Sequence, residues 1–162
     1  MQVFIDRWNG YANCKRYIES VLLQGVIMKI PMDLVLHKKS HELEIVYDDM
    51  TARLTFEYLR VHSPSAEVKG HAPGQDVLQV GKKNVDIVGL EPVGNYAIKI
   101  RYSDGHDSGI YSWDYLESLI VNHDKNWTEY LQRLAEAGAS REGDLTPELK
   151  AKNATEHCGC KK

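Results

Sequence analysis

The chain has 162 residues, 43% of them hydrophobic and 27% charged, which suits one soluble domain with a real core and is too short for two ordinary ones. Its 20 basic and 23 acidic side chains leave a net charge of -3, so no overall positive field draws it onto a phosphate backbone, and nucleic acid is excluded as the default partner. The longest apolar run, "VLLQGVIM", is broken by Gln24 and Gly25 and falls far short of the roughly 20 residues of a membrane helix.

The start "MQVFIDRWNGYANCKRY" carries Asp6, Trp8 and Asn9 where a signal peptide has a basic stretch leading into an apolar one. Cys14, Cys158 and Cys160 sit near the two ends, so no disulfide framework holds the middle of the chain. A cytoplasmic location is the expectation. "CKRYIESVLLQG" has the pattern of an amphipathic helix, yet Met28 serves equally well as a start, so residues 1–27 are read as an extension upstream of the true reading frame.

Regular structure is expected from Met28 onward. "DLVLH", a polar turn at 38–40 and "ELEIVY", with Leu43, Ile45 and Tyr47 alternating against polar neighbours, make a first hairpin. "ARLTF" repeats the alternation with Leu54 and Phe56 inward. In "EYLRVHSPSAEVKGHAPGQ" the residues Pro64, Gly70, Pro73 and Gly74 argue against any long regular element, and the run is read as the main loop.

The strongest β signal is "VDIVGLEPVGNYAIKIRYSDGHDSGIYSW". Val85 and Ile87 open a strand, "PVGN" supplies the proline and glycine of a turn, and Tyr96, Ile98, Ile100 and Tyr102 share one face of the next strand. The Asp-Gly of "SDGH" favours a tight hairpin into "SGIY", which completes a three-stranded antiparallel meander.

Ser112 caps a helix at "WDYLESLIVN", and Asp124 a second one at "KNWTEYLQRLAEAG". There Trp127, Leu131 and Leu134 recur at i, i+4 and i+7, and Gly138 is the stop. Beyond it, residues 141–162 hold too few apolar side chains to offset their ordering entropy and are read as a polar tail. The fold expected is α+β: an antiparallel β-rich domain over residues 28–140, a hairpin plus a three-stranded meander, with C-terminal helices packed on the sheet.

Catalytic templates fail. No histidine has Asp or Glu two residues later, as the iron-binding facial triad requires. "GQDVLQVGKK" misses both the glycine spacing and the hydroxyl of a P-loop, so no nucleotide cofactor is expected. Ser63 and Ser65 lack the Gly-x-Ser-x-Gly elbow and read as turn serines bonded to local backbone. Arg60 reads as a core-edge arginine satisfied by carbonyls or Glu67, or else as an anion or partner contact.

The candidate metal ligands are His71 and His106, each flanked by glycine, with His62 and Glu67 as weaker partners and Asp104 and Asp107 near by. For all of these the plain alternative is hydrogen bonding at turns. Cys158 and Cys160 form a Cys-x-Cys beside a histidine, an incomplete soft-metal site on a tail.

At "EYLRVHSPSAEVKGH", "EPVGNYA" and "DGHDSGIYSW" the chain resembles the gamma-butyrobetaine hydroxylase-like N-terminal domain family, over residues 28–140. The resemblance implies an antiparallel β-rich α+β domain, found alone, in iron- and 2-oxoglutarate-dependent hydroxylases, or joined to P-loop iron-sulfur carrier ATPases. In the hydroxylases it implies a structural zinc held by three cysteines and a histidine. Those positions correspond here to Ser63, Ser65, Val68 and His106, so all three thiolates are absent.

The functional expectation is a non-catalytic binding module tied to iron or iron-sulfur metabolism, holding iron or zinc through His71 and His106. The alternative is a metal-free protein-interaction domain for an oxygenase or a P-loop carrier, with Arg60, Ser63 and Ser65 in the contact loop. An independent oxygenase is disfavoured because the triad and its larger catalytic domain are missing.

Overall fold

The computed structural model describes residues 7–9, 29–70 and 76–142. Four antiparallel strands, β1 (Arg7–Asn9), β2 (Asp33–His37), β3 (Glu42–Val46) and β4 (Thr51–Thr55), form one sheet in sequence order. The alternation in "DLVLH" and "ELEIV" sets the register, which pairs Leu34 with Ile45, Leu36 with Leu43, and Leu43 with Leu54, all on the buried face. The first hairpin is therefore as the pattern predicts. β1 adds an edge strand from within the segment read as an extension.

The expected main loop contains two short helices, α1 (Phe56–Val61) and α2 (Ala66–Lys69). Thr55 ends β4 and caps α1, its hydroxyl accepting the Tyr58 amide at 3.2 Å, with Glu57 in the first turn. Proline and glycine thus punctuate helices here instead of preventing them. Pro64 biases Ser63 away from helical backbone and separates the two, and Gly70 ends α2 at φ 71°. Phe56 is buried as expected, but as the first helical residue and not as the last of a strand.

The second sheet is the predicted meander: β5 (Ile87–Val93), β6 (Ala97–Tyr102) and β7 (Ile110–Ser112). Two details differ. Pro92 lies within β5 opposite Ile98, tolerated on an edge strand, and the turn follows at Gly94 with φ 54°. Tyr96 falls in that turn and is half exposed, leaving Ile98, Ile100 and Tyr102 on the inner face. The second difference is the β6–β7 connection, a seven-residue loop at 103–109, where Tyr102 donates its amide to the His106 carbonyl at 2.9 Å and Gly105 takes φ 84°.

Ser112 caps α3 (Trp113–Val121), accepting the Tyr115 amide at 3.2 Å. Trp113, Leu116 and Leu119 enter the main core with Leu34, Ile45, Phe56, Tyr58 and Ile100. α4 (His123–Glu136) begins one residue after α3, with Asn122 at its N-cap and Asp124 already helical, which corrects the expected cap. On α4 the inward side chains are Trp127 and Leu134, as expected, with Tyr130 between them in place of Leu131, which is 38% exposed.

Gly138 ends this region at φ 62°. Arg141, assigned from sequence to the tail, is docked: it donates to the buried Glu57 carboxylate through Nε at 2.9 Å and through Nη2, and stacks on Trp127 at 4.9 Å. Among the described residues no helix is long and apolar enough to cross a membrane.

Candidate functional site

The turn between α1 and α2 meets the β6–β7 loop in the interior. His106 is the hinge of that meeting, with its ring 2% exposed. Its Nδ1 lies 3.0 Å from Glu67 Oε2 and its Nε2 lies 2.8 Å from Ser63 Oγ. An ionised carboxylate only accepts, so Nδ1 carries the hydrogen, and the bare Nε2 accepts the Ser63 hydroxyl proton. Burial, followed by the Arg60 guanidinium, holds the imidazole below its ordinary pKa, which keeps it neutral as this tautomer requires.

Hydroxyl, imidazole and carboxylate in line are the connectivity of a nucleophile, a base and an orienting acid. Access is missing. Ser63 has no exposed surface, Pro64 packs beside it, and a Cβ built on Gly109 would overlap its Oγ. The chain of bonds fastens one loop to another. Ser65 caps α2 only by its backbone position, and its buried Oγ has no partner within the described residues.

Arg60 is buried too, and it runs to Asp104 and not to Glu67: Nε donates to Oδ2 at 2.9 Å and Nη1 to Gln79 Oε1 at 3.2 Å. Lys82 donates to the same Asp104 oxygen at 2.7 Å. These cations, against an opposing burial effect, hold the Asp104 carboxyl below its usual range. Beneath them Tyr111 donates its hydroxyl to the Leu59 carbonyl at 2.8 Å and meets Tyr102 at 2.8 Å, with burial pushing the Tyr111 phenol up to about 12.

Beside this cluster a groove of about 390 Å³ opens between α1, α2, residues 76–79 and the helices α3 and α4. Val61, Val68, Val77, Leu78 and Leu119 give it an apolar floor, and His62, Lys69, Asn122, Asn126, Glu129 and Arg133 supply polar walls. His62 donates Nδ1–H to the Tyr58 carbonyl at 2.9 Å, and its pKa is lowered by burial. Its volume falls within the range of ligand pockets, and its lining is about as polar as it is apolar.

The sequence-derived candidates fall as follows. His71, Cys158 and Cys160 lie outside the described residues. Arg60, Ser63 and Ser65, expected in a contact loop, are buried, with Ser63 at the edge of the groove. His106 and Glu67 come together, but on each other, and His62 stands apart on the groove wall.

Among the described residues no three His, Cys, Asp or Glu side chains cluster as a metal site. The zinc arrangement that the family resemblance implies does not fit these side chains: both His106 nitrogens are engaged, the serines are neutral hydroxyls and Val68 has no donor atom. The groove residues Lys69, Gln79, Asn122, Asn126 and Glu129 come from three separate segments, the last three at i, i+4 and i+7 along the start of α4.

Fold and site together define a small antiparallel α+β module whose central turn is pinned by a buried histidine next to a mixed groove. The chain belongs to the gamma-butyrobetaine hydroxylase-like, N-terminal family, whose model matches residues 34–117. Two proteins with NMR solution structures are similar to it. One is 50% identical, with 74% of this chain and 95% of that one covered and a TM-score of 0.64. The other is 46% identical, with 75% and 91% covered and a TM-score of 0.64. A crystal structure of a protein of unknown function of the DUF971 family from Acidithiobacillus ferrooxidans is 38% identical, covers 55% and 90%, and has a TM-score of 0.46. No curated protein matches.

Proposed function

We propose that this protein is a non-catalytic, metal-free interaction module, cytoplasmic, whose groove between α1, α2, α3 and α4 docks a protein partner. The observation that carries this reading is the pairing of His106 with Ser63 and Glu67, which occupies both imidazole nitrogens and leaves the neighbouring groove as the accessible feature. The accessible groove beside a fully buried Ser63 hydroxyl supports a role in binding. The family description places such domains at the N-terminus of hydroxylase-like proteins. The partner class we infer, from the sequence resemblance, is an oxygenase or a P-loop iron-sulfur carrier.

Calorimetric titration of a purified carrier ATPase and a purified oxygenase against the chain tests the reading. Ser118→Trp, on the exposed rim of the groove, fills it without touching the core. Saturable binding to one partner that is lost in Ser118→Trp is the expected result. Equal binding by both forms, or none by either, overturns the docking role, and a stoichiometric metal in the purified protein overturns the metal-free one.

A further inference from the structure

Several groove hydroxyls are already committed as donors: Tyr115 to the His62 carbonyl at 2.7 Å, Tyr130 to the Gln79 carbonyl at 3.1 Å and Ser118 to the Tyr115 carbonyl at 2.8 Å, while Arg133 pairs with Asp76. One wall of the groove, in contrast, carries several acceptors with capacity left. His62 gives its Nδ1 hydrogen to Tyr58 and keeps the Nε2 lone pair.

Asn126 donates its amide to the Tyr58 hydroxyl at 3.1 Å and Asn122 donates to the Ser118 carbonyl at 2.8 Å, so each side-chain carbonyl oxygen remains. Glu129 lines the same groove as His62 and has neither a hydrogen bond nor an ion pair among the described residues. The unspent cation is Lys69, whose ammonium rests 4.1 Å from the centre of the Tyr115 ring.

Resting on the docking role above, we propose that the wall formed by His62, Asn122, Asn126 and Glu129 receives an arginine side chain of the protein partner. A guanidinium offers five donors in a planar fork, which suits several separated acceptors better than a point ammonium does. The carboxylate of Glu129 supplies the opposite charge, and the imidazole and two amides satisfy the remaining hydrogens. Tyr130, with its ring 6.4 Å from that of His62, adds an aromatic face, and the apolar floor takes the aliphatic stem.

The test is a titration of the full chain, followed by ¹H–¹⁵N NMR, with N-acetyl-arginine amide, and in parallel with its lysine and norleucine counterparts, acetate and zinc chloride. Saturable shifts at His62, Asn122, Asn126 and Glu129 with the arginine probe are expected, weaker with lysine and absent with norleucine. Glu129→Gln, on the exposed face of α4, should weaken the arginine probe about tenfold or more while leaving the rest of the spectrum unchanged.

Norleucine binding as well as arginine would show an apolar groove only and overturn the assignment. Acetate shifts centred on Lys69, or zinc saturating at His62 while arginine does not, would also overturn it. Should the arginine probe fail while Ser118→Trp still abolishes partner binding, the arginine assignment falls and the docking role stands. Failure of both removes the docking role.

Discussion

Replacing His106 by alanine removes the pin between the α1–α2 turn and the β6–β7 loop. Two bonds are lost, at 2.8 and 3.0 Å, but their costs differ. Ser63 has no exposed surface, so its hydroxyl, left without its imidazole acceptor, costs about 1–3 kcal/mol, while Glu67 is 69% exposed and returns to water for under ~0.5 kcal/mol. Emptying the imidazole volume adds roughly 1–2 kcal/mol. The total, about 3 kcal/mol, lowers a urea midpoint by about 2 M at an m-value of about 1.5 kcal/mol/M. Glu67→Gln should move it by less than about 0.4 M. Urea unfolding followed by tryptophan fluorescence, with and without chelator, measures both. Should His106→Ala stay within about 0.3 M of the parent, or should chelator destabilise the parent as strongly as the mutation does, the hydrogen-bonded pin is refuted.

Gly109→Ala pushes a methyl group into Ser63 Oγ and the Tyr111 ring, and should lower stability by about 1–3 kcal/mol in a thermal melt, whereas Gly105→Ala meets no atom and costs only its positive φ, about 1 kcal/mol. Glu57→Ala breaks the two-bond pairing with Arg141; hydrogen exchange should show the amides of Gly81 and Lys83, bonded to the Ser140 and Arg141 carbonyls, opening faster with the Trp113 amide unaffected. Acid sensitivity follows from His106 and His62, whose folded pKa values are both depressed, chiefly by burial. The unfolded chain takes up these protons near pH 6.5 while the folded one stays neutral, so stability is full above about 6.5 and falls as the pH drops through the folded values. Urea midpoints measured across that range should fall with decreasing pH, and His106→Gln should flatten part of the slope.

The strands were legible because one face of each is buried: Leu34, Leu36, Leu43 and Ile45 alternate, and so do Ile98, Ile100 and Tyr102. Ser112 was readable as a cap for the same local reason. The two helices in the run 56–69 were not, because they are too short for a 3.6 period to show and α1 is stabilised by burial on all its sides, a tertiary effect, with Pro64 and Gly70 falling between and after them. The candidate site divides likewise. The resemblance brought Ser63 and His106 to one position, and the structure joins them by a hydrogen bond. Arg60 was matched with Glu67, seven residues away, whereas its partner Asp104 is 44 residues away, a distance that no local pattern spans. The groove was not legible: its free acceptors sit at the C-cap of α1 and along the start of α4, and are visible only once the bonds of their neighbours are known.

Long-range ¹H–¹⁵N NMR of the His106 imidazole at neutral pH tests the central claim most directly. The account predicts a neutral ring protonated on Nδ1, with Nε2 accepting from Ser63, and a pattern unchanged by chelator or by added zinc. A ring protonated on Nε2, or an Nε2 resonance that moves when zinc is added and returns when it is removed, would contradict it.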